Sequence, residues 1–289
     1  MAEKALDPRT HAARPDLADA RLEGRVAATR YVLPMPAACH ASAAPLLHAP
    51  DDGAMQVSEL LWGEAVDVFE SRDGWAWVQA LHDRYVGYVA AAALGPRFKQ
   101  TLTHRVIAPA SHLYPEPSVK ARPIRPLFAA TQLAIDETLR QGGFVAVAGG
   151  GWIAAEHVRP LGQPMEDGTS MAERLLGAPY LWGGRTVRGL DCSGLVQIAL
   201  AGAGIAAPRD SDQQAALGAD LGADLSVLKR GDLVFFPGHV GLMVDESHII
   251  HANVTHMAVT IDPLAQVISW VRRRHEAPVT ALKRLAPSA

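Results

Sequence analysis

Short apolar segments that alternate with turn residues restrict the fold of residues 26–98 more than any other feature. Strand-like runs such as Ala65-Val66-Asp67-Val68-Phe69 and Trp75-Ala76-Trp77-Val78 are separated by turn signals such as Asp73-Gly74. Strands of this length at this spacing are typical of small barrels. We therefore expect a first β-barrel domain over residues 26–98. The polar terminus before it, residues 1–25, is predicted to be disordered or extended.

Residues 99–163 look like a looser second copy of this pattern. The segment Gly87-Tyr88-Val89-Ala90-Ala91 is echoed 64 residues later by Gly151-Trp152-Ile153-Ala154-Ala155, and an internal repeat at that period indicates related domains. The second copy contains several prolines. The segments around them are restricted to loops or edge strands, because proline cannot donate a hydrogen bond within a sheet. The sequence therefore predicts two small β-barrels in a row.

The pattern changes in residues 164–289. The capping-box spacing of Ser170 and Glu173 predicts a short helix over 170–176, which ends at Gly177. An apolar run after Asp191 predicts a buried helix that ends near Gly202. One helix followed by an antiparallel sheet is an α+β arrangement. The predicted strands of this sheet are 232–237, 239–244, 249–253 and 257–261.

Composition and charge exclude several classes of function. The chain has 27 basic and 30 acidic residues, so nothing favours nucleic acid, and the run 272–274 of three arginines is too short to change this. No apolar run approaches the roughly 18 residues of a membrane span, and the first 25 residues lack a signal-peptide pattern. Only two cysteines are present, which fits a reducing compartment. We expect a cytoplasmic protein, and a monomer, although the oligomeric state stays open.

Cys192 is placed as a nucleophile would be. It lies at the expected first turn of a helix, where backbone N–H groups and the helix dipole favour an anion, so we expect its pKa to fall. An inert core cysteine is the alternative, but the polar neighbours Asp191 and Ser193 argue against it. Cys39 lacks such a setting and is predicted to be a small buried or loop residue.

Two histidines could supply the base that a thiol nucleophile needs. His239 begins one predicted strand and His251 ends the next, and Asp245 lies midway between them. A hairpin centred on Asp245 would place the two rings opposite each other on one face. One imidazole would then act as base while the other orients it. A zinc site of Cys192, His239 and His251 is the rival use, but the metal-binding spacings CxxC and HxxxH are absent, so we predict neither metal nor cofactor.

Five motifs occur in a fixed order along the last part of the chain. They are residues 177–184 (GAPYLWGG), 191–196 (DCSGLV), 231–236 (GDLVFF), 239–241 (HVG) and 250–252 (IHA). Their order and spacing resemble those of the NlpC-type cell-wall peptidases, a papain-like family that hydrolyses γ-D-glutamyl bonds in murein peptides, and the resemblance covers roughly residues 170–265. The two preceding barrels resemble the bacterial Src-homology-3-like modules that are often fused to the family.

The resemblance implies roles for several residues. Cys192 would be the nucleophile, His239 the general base and His251 the orienting residue, while the Tyr180 hydroxyl and the Cys192 N–H would stabilise an oxyanion. Asp191 would contact the amino end of the substrate, or only cap the helix. The further predicted substrate-binding residues are Ser193, Trp182, Arg209, Asp210, Ser211, Glu59 and Tyr85.

Some of these residues have alternative explanations. Tyr180 and Trp182 could simply pack in the core, and Arg209 could be a surface charge rather than a fork for the D-glutamate carboxylate. Glu59 and Tyr85, with Glu64 and Tyr88 as alternatives, would close one end of the cleft from the first barrel.

The resemblance implies hydrolysis of the γ-D-glutamyl to diamino-acid amide in free murein peptides such as L-Ala-γ-D-Glu-diaminopimelate, as part of peptide recycling. The expected partner is therefore a small murein peptide, with no nucleic acid and no membrane. A thiol-dependent amidase or acyltransferase of the same fold, acting on another amide, is one alternative. A non-catalytic murein-binding protein is another, which the Cys–His–His set argues against.

Overall fold

The computed structural model describes residues 6–286 of the 289-residue chain. The chain divides into two compact units, residues 1–101 and residues 102–289. The first unit consists of short strands joined by tight turns. Its strands are β1 (Ala18–Asp19), β2 (Tyr31–Val32), β3 (Met35–Cys39), β4 (Ala43–Leu47), β5 (Gln56–Leu61), β6 (Ala65–Arg72), β7 (Trp75–Ala80), β8 (Val86–Ala90) and β9 (Leu94–Gly95).

Seven of these strands form one antiparallel sheet in the order β5-β4-β8-β7-β6-β3-β9. Successive side chains of a strand point to opposite faces, and β7 shows the consequence. Ala76 and Val78 are buried in one apolar cluster, whereas Trp77 between them belongs to a second cluster on the other face. The strands predicted at 65–69 and 75–78 correspond to β6 and β7.

The N-terminal segment, which was predicted to be disordered or extended, covers that second face over residues 6–25. Ala12 and Leu17 are buried against Phe69 and Trp77, and a 3₁₀ turn follows at Ala20–Leu22. In sequence this segment looks polar, because charged residues separate the few apolar residues that pack against the sheet. Those charges form ion pairs with the sheet, as Arg14 does with Glu70 at 2.7 Å. Residues 1–5, the rest of that prediction, lie outside the described residues.

Residues 104–160 of the second unit form eight short strands. They are β10 (His104–Val106), β11 (Ala110–Leu113), β12 (Arg125–Phe128), β13 (Gln132–Leu133), β14 (Ile135–Gln141), β15 (Phe144–Val147), β16 (Trp152–Ala154) and β17 (Val158–Pro160).

The strand pairing of this segment repeats that of the first unit. β10 pairs with β17 and β13, just as β3 pairs with β9 and β6. The echoed sequences also adopt the same structure, because β8 and β16 are each followed directly by a 3₁₀ turn, at Ala91–Ala93 and Ala155–His157. The classification of residues 99–163 as a second Src-homology-3-like barrel stays a prediction.

The remainder of the second unit has the predicted α+β arrangement. Its elements are α1 (Gly168–Glu173), β18 (Arg185–Thr186), β19 (Gly189–Leu190), α2 (Cys192–Gly202), α3 (Ser211–Gln214), β20 (Ala219–Asp220), β21 (Leu233–Phe236), β22 (His239–Met243), β23 (His248–Asn253), β24 (Ala258–Pro263), α4 (Leu264–Arg272) and β25 (Ala281–Arg284). Among the helices of residues 6–286, none is both long enough and apolar enough to cross a bilayer.

The first helix begins earlier than predicted. Asp167 is its N-cap and accepts a hydrogen bond from the backbone N–H of Ser170 at 2.8 Å. A carboxylate at this position satisfies a helix N–H that would otherwise lack a partner, so Ser170 is not needed as a cap. Glu173 pairs instead with Arg230 at 2.8 Å. The predicted capping box is therefore wrong, although a helix lies close to the predicted range.

Helix α2 packs against β22 and β23 of a six-stranded sheet ordered β20-β25-β21-β22-β23-β24. Leu195, Val196 and Ala199 of this helix are fully buried in the shared core. Its C-terminal end is held by Arg105, whose guanidinium donates to the carbonyl of Ala201. A cation there complements the partial negative charge of a helix C-terminus. At the other end of α2, the first turn lies beside the start of β22.

Candidate active site

Cys192 is the first residue of α2 and is 7% exposed. The Asp191 carboxylate caps the helix by accepting from the N–H of Gly194 at 2.7 Å. The backbone N–H groups of Val240 and Ser193 hydrogen-bond to the Cys192 sulfur. The thiol therefore lies between the first turn of α2 and the beginning of β22, which is where His239 is found.

The predicted lowering of the Cys192 pKa is wrong. Burial raises the pKa of this thiol to about 12, and the nearby Asp191 carboxylate adds to the rise. The backbone hydrogen bonds from Val240 and Ser193 and the charge of Arg209 act in the opposite direction but do not outweigh burial. The sequence shows the helix terminus that favours an anion, but not the depth at which the sulfur lies.

His239 and His251 are joined as predicted, by a hydrogen bond of 2.8 Å between Nε2 of His239 and Nδ1 of His251. The two rings are 5.1 Å apart at an angle of 61°. They are not directly opposite, because the hairpin pairs Leu242 with Ile250 and Met243 with Ile249. This register places His251 opposite Gly241, two residues beyond His239, so the two histidines meet on a diagonal.

The turn explains the difference in register. The Asp245 carboxylate accepts from the N–H groups of Ser247 and His248 at 2.7 and 2.8 Å, which makes an Asx-type turn. The N–H of Val244 then donates to the carbonyl of His248 at 2.9 Å, so the hairpin is centred on Glu246. The predicted centre at Asp245 is wrong by one residue.

Both imidazoles are neutral at neutral pH. Burial lowers the pKa of His239 to about 3, and the charge that His251 would carry lowers it further. Burial also lowers the pKa of His251, although its hydrogen bond to Asp262 opposes the shift. A neutral imidazole can accept a proton, so His239 has the protonation state of a general base.

Asp191 and Arg209, both predicted to bind the substrate, form a buried ion pair with each other. The Arg209 guanidinium donates to the two Asp191 oxygens at 3.0 and 2.5 Å and to Ser193 Oγ at 2.8 Å. Arg209 is 1% exposed. Because Asp191 also accepts from the N–H of Gly183 at 2.8 Å, its oxygens are committed within the protein. Asp191 therefore caps the helix, whereas its contact with a substrate ammonium and that of Arg209 with a carboxylate stay predictions.

The other predicted residues of this unit lie around the same helix. Tyr180 is half-buried, and burial together with the nearby Cys192 and Asp191 raises its pKa, so its hydroxyl stays protonated and can donate. Trp182 is 57% exposed in the loop that precedes β18. Asp210 and Ser211 are half-buried at the start of α3.

Glu59 and Tyr85 lie in the first unit. Glu59 is buried on β5, and Tyr85 is buried just before β8 with its N–H donating to Asp83 at 3.0 Å. Their predicted role at one end of a cleft stays a prediction, as does that of the alternatives Glu64 and Tyr88. Cys39 is fully buried on β3, as predicted for an inert cysteine.

Sequence reasoning missed three residues that hold the site together. Asp262 accepts from His251 Nε2 at 3.0 Å, and Thr260 Oγ1 donates to the same carboxylate at 2.6 Å. The predicted strand ended at residue 261, one residue before Asp262. Gln214 donates to the carbonyls of Ser193 and Pro208 at 3.0 and 2.9 Å. Between residues 6 and 286, no group of three or more His, Cys, Asp or Glu side chains is arranged to hold a metal ion.

The profile of the NlpC/P60 family matches residues 177–275, the segment that contains Cys192, His239 and His251. The chain contains an NlpC/P60 domain. A bacterial dipeptidyl-peptidase Sh3 domain also matches, over residues 46–94 of the first unit. The NlpC/P60 domain belongs to a family of peptidases, so residues 177–275 form a hydrolase domain of papain-like fold.

Named relatives and solved structures agree with this assignment. Dipeptidyl-peptidase 6 of Lysinibacillus sphaericus is 26% identical over 82% of this chain and 94% of that protein. The gamma-D-glutamyl-L-lysine dipeptidyl-peptidase of Bacillus subtilis is 38% identical over 32% of this chain, and the match spans only 33% of that relative. The crystal structure of an NlpC/P60 family protein from Bacillus cereus has a TM-score of 0.71 at 22% identity, over 88% of this chain and all of that one. This last similarity shows the fold alone.

Proposed function

We propose that the protein is a cysteine peptidase that hydrolyses the γ-D-glutamyl to diamino-acid amide of small murein peptides. The observation that carries the proposal is the ordered set of groups at the N-terminus of α2. Cys192 lies against the start of β22, and His239 on that strand is hydrogen-bonded to His251 at 2.8 Å. The names of the relatives, which include a gamma-D-glutamyl-L-lysine dipeptidyl-peptidase, support the choice of bond.

The first half of the reaction is acyl transfer to sulfur. Neutral His239 takes the proton of the Cys192 thiol as the sulfur attacks the γ-carbonyl carbon of the glutamyl residue. The Tyr180 hydroxyl and the Cys192 N–H donate to the oxygen on which negative charge develops. The amide C–N bond then breaks, a thioester forms, and His239 gives its proton to the departing amine.

The second half restores the enzyme. His239 takes a proton from water, the hydroxide attacks the thioester carbonyl, and the carbon–sulfur bond breaks. The products are the γ-carboxylate of the dipeptide and the Cys192 thiol, which recovers the proton. Because the uncharged thiol and imidazole are the favoured state at neutral pH, proton transfer accompanies each attack.

Recognition of a free amino end would confine the enzyme to released peptides, as a recycling role in the cytoplasm demands. The Asp191 carboxylate is already paired with Arg209 within the protein. The other predicted cleft carboxylate of this unit is Asp210, which follows Arg209 and is half-buried. We place the substrate ammonium at Asp210, because a carboxylate is the group that pairs with an ammonium.

One set of reactions tests the proposal. Purified protein is incubated with L-Ala-γ-D-Glu-diaminopimelate and with its N-acetylated form, and the products are identified by mass spectrometry. We expect L-Ala-D-Glu and diaminopimelate from the free peptide, and a kcat/KM roughly a hundredfold or more lower for the acetylated one, about 2.7 kcal/mol. Asp210→Asn should remove most of this discrimination.

Variants assign the roles. Cys192→Ala and His239→Ala should each lower kcat by about 10⁴-fold or more, because a nucleophile and its base act as one unit. Cys39→Ala, which removes the other buried thiol, is the matched control and should retain full activity. Hydrolysis by Cys192→Ala would contradict the mechanism. Equal rates on free and acetylated peptides would contradict the recycling role and leave the peptidase assignment standing.

A further inference from the structure

Asp262 lies at the far end of the histidine pair, on β24 beside β23. Its Oδ2 is 3.0 Å from Nε2 of His251, whose Nδ1 is in turn 2.8 Å from Nε2 of His239. We propose that Asp262 is a positioning residue that sets the tautomer of His251 and, through it, the tautomer of His239. This inference rests on the proposed function, in which His239 is the base.

The strand register brings Asp262 to this place. His251 is paired with Thr260 across β23 and β24, and Asp262 is two residues beyond Thr260 on the same face. Asp262 is only partly exposed, and its other oxygen is 3.4 Å from Nε2 of His256. The strand register therefore places the Asp262 carboxylate beside His251.

The direction of each hydrogen bond follows from neighbouring groups that can act only as donors or only as acceptors. The backbone N–H of His256 donates to the side chain of Asn253 at 2.9 Å, and an N–H can only donate. The amide oxygen of Asn253 is therefore on that side, and its NH₂ faces Thr260 Oγ1 at 2.8 Å. Thr260 accepts there, which leaves its own proton to donate to Asp262 Oδ2 at 2.6 Å.

An ionised carboxylate can only accept, and Asp262 is ionised. Burial alone would raise its pKa, but the hydrogen bonds from Thr260 and His251 outweigh burial and lower it. His251 must therefore carry its proton on Nε2 and present a lone pair on Nδ1. His239 must then donate from its own Nε2, which leaves the lone pair of His239 on Nδ1.

That lone pair is what a general base requires. With Nε2 of His239 committed to His251, only Nδ1 remains to take the proton of Cys192. In the reverse tautomer Nδ1 would carry a proton and could not act as base. Asp262→Asn would permit this reversal, because an asparagine side chain can turn its NH₂ toward His251 and donate where the carboxylate accepts.

Nitrogen-15 NMR of the histidine side chains tests the tautomer without any substrate. We expect His251 to be protonated at Nε2 and unprotonated at Nδ1 in the unmodified protein near pH 7. Its signals are identified among the 12 histidines by their loss in His251→Gln. Asp262→Asn should show a mixture of tautomers. Protonation of His251 at Nδ1 in the unmodified protein would overturn the proposal without need of any variant.

Kinetics separates positioning from general structural damage. Asp262→Asn should lower kcat by about 10²-fold, as expected for loss of a correctly protonated base, with little change in KM. In a His251→Gln background the glutamine amide has no tautomer to set, so adding Asp262→Asn should change kcat by less than about threefold. A loss of equal size in both backgrounds would show that Asp262 acts only on structure and would overturn the proposal.

A matched control is available on the same hairpin. Asp245 and His248 form another carboxylate–histidine pair at 3.0 Å, which is partly exposed and outside the histidine chain. Asparagine keeps the side-chain oxygen that closes this turn, so Asp245→Asn should leave kcat unchanged. A loss matching that of Asp262→Asn would overturn the assignment of a specific role. Failure of the unmodified protein to cleave murein peptides would refute the proposed function alone, since the NMR experiment would still decide the tautomer.

Discussion

Burial shifts the pKa values of Cys192 and His239 in opposite directions. These shifts determine how the reaction rate depends on pH. The pKa of His239 is lowered to about 3, whereas that of Cys192 is raised to about 12. A histidine whose pKa is lowered stays in its basic form above that pKa. The base is therefore lost only as the pH falls toward 3, well below the usual histidine value of about 6.5.

We accordingly expect kcat/KM to stay nearly constant from pH 7.5 down to about pH 5. The measurement is kcat/KM for L-Ala-γ-D-Glu-diaminopimelate across this range, with tryptophan fluorescence as a check that the protein remains folded. An acid limb near pH 6.5, in a protein that is still folded, would show that His239 titrates as an ordinary exposed histidine.

The residue scale also shows why the ion pair between Asp191 and Arg209 was not predicted from the sequence. Asp191 and Arg209 are 18 positions apart in sequence, and a sequence read alone shows each as a charge available to a ligand. Their mutual pairing, which leaves Arg209 1% exposed, depends on how the segment after α2 folds back. The cap of α2 was predictable because it depends only on the two residues Asp191 and Gly194.

Among the elements, α2 is held by close contact between backbones at its first turn. A Cβ added to Gly194 would be 2.3 Å from the carbonyl oxygen of Gly184, and a Cβ on Gly184 would be 2.3 Å from that of Gly189. Side chains have no room at these positions. The loop before the helix therefore fixes where the Cys192 thiol lies.

Gly194→Ala should lower both stability and activity, although alanine favours an isolated helix by about 0.8–1.0 kcal/mol. The clash is with backbone rather than a flexible side chain, so we expect a loss of about 1–3 kcal/mol of unfolding free energy. Urea denaturation and kcat are the measurements. Gly162→Ala, at a position with nothing within 4 Å of the added Cβ, should change neither. A more stable Gly194→Ala protein would show that the loop moves freely away from the helix.

The elements that the sequence predicts well are those set by local pattern. Strands β6, β7, β22 and β23 are short apolar segments bounded by turn residues. Helix α2 is predicted from its N-cap residue and the apolar run after it. The hairpin register was wrong by one residue because the Asp245 side chain rather than the backbone closes the turn. Helix α4 was missed, although Leu264, Val267, Ile268 and Val271 follow helical spacing and pack in one cluster.

At the scale of the whole molecule, residues 102–160 and the peptidase elements form one compact unit. Ala129 of the barrel-like segment is buried in the same cluster as Leu195 and Val196 of α2, and Arg105 holds the C-terminal end of that helix. The sequence around Arg159, where the predicted second barrel meets the predicted catalytic domain, is part of this structure, because Arg159 pairs with Arg105 across β17 and β10. Local sequence marks it as a turn-rich joint, but its strand pairing depends on a segment more than fifty residues earlier.

Limited proteolysis distinguishes this organisation from three separate domains. Trypsin needs an exposed, extended site, and Lys99 lies in an exposed stretch at the boundary between the two units. We expect the first cut after Lys99, which yields fragments 1–99 and 100–289 by mass spectrometry. Arg159 should resist at the same enzyme concentration, because its backbone is held in the sheet. The arginines at 272–274, which are also exposed, serve as an internal control for accessible sites in the second unit. A first cut after Arg159 instead would show that the barrel-like segment opens independently of the peptidase elements, and that the cluster joining Ala129 to α2 contributes little to stability.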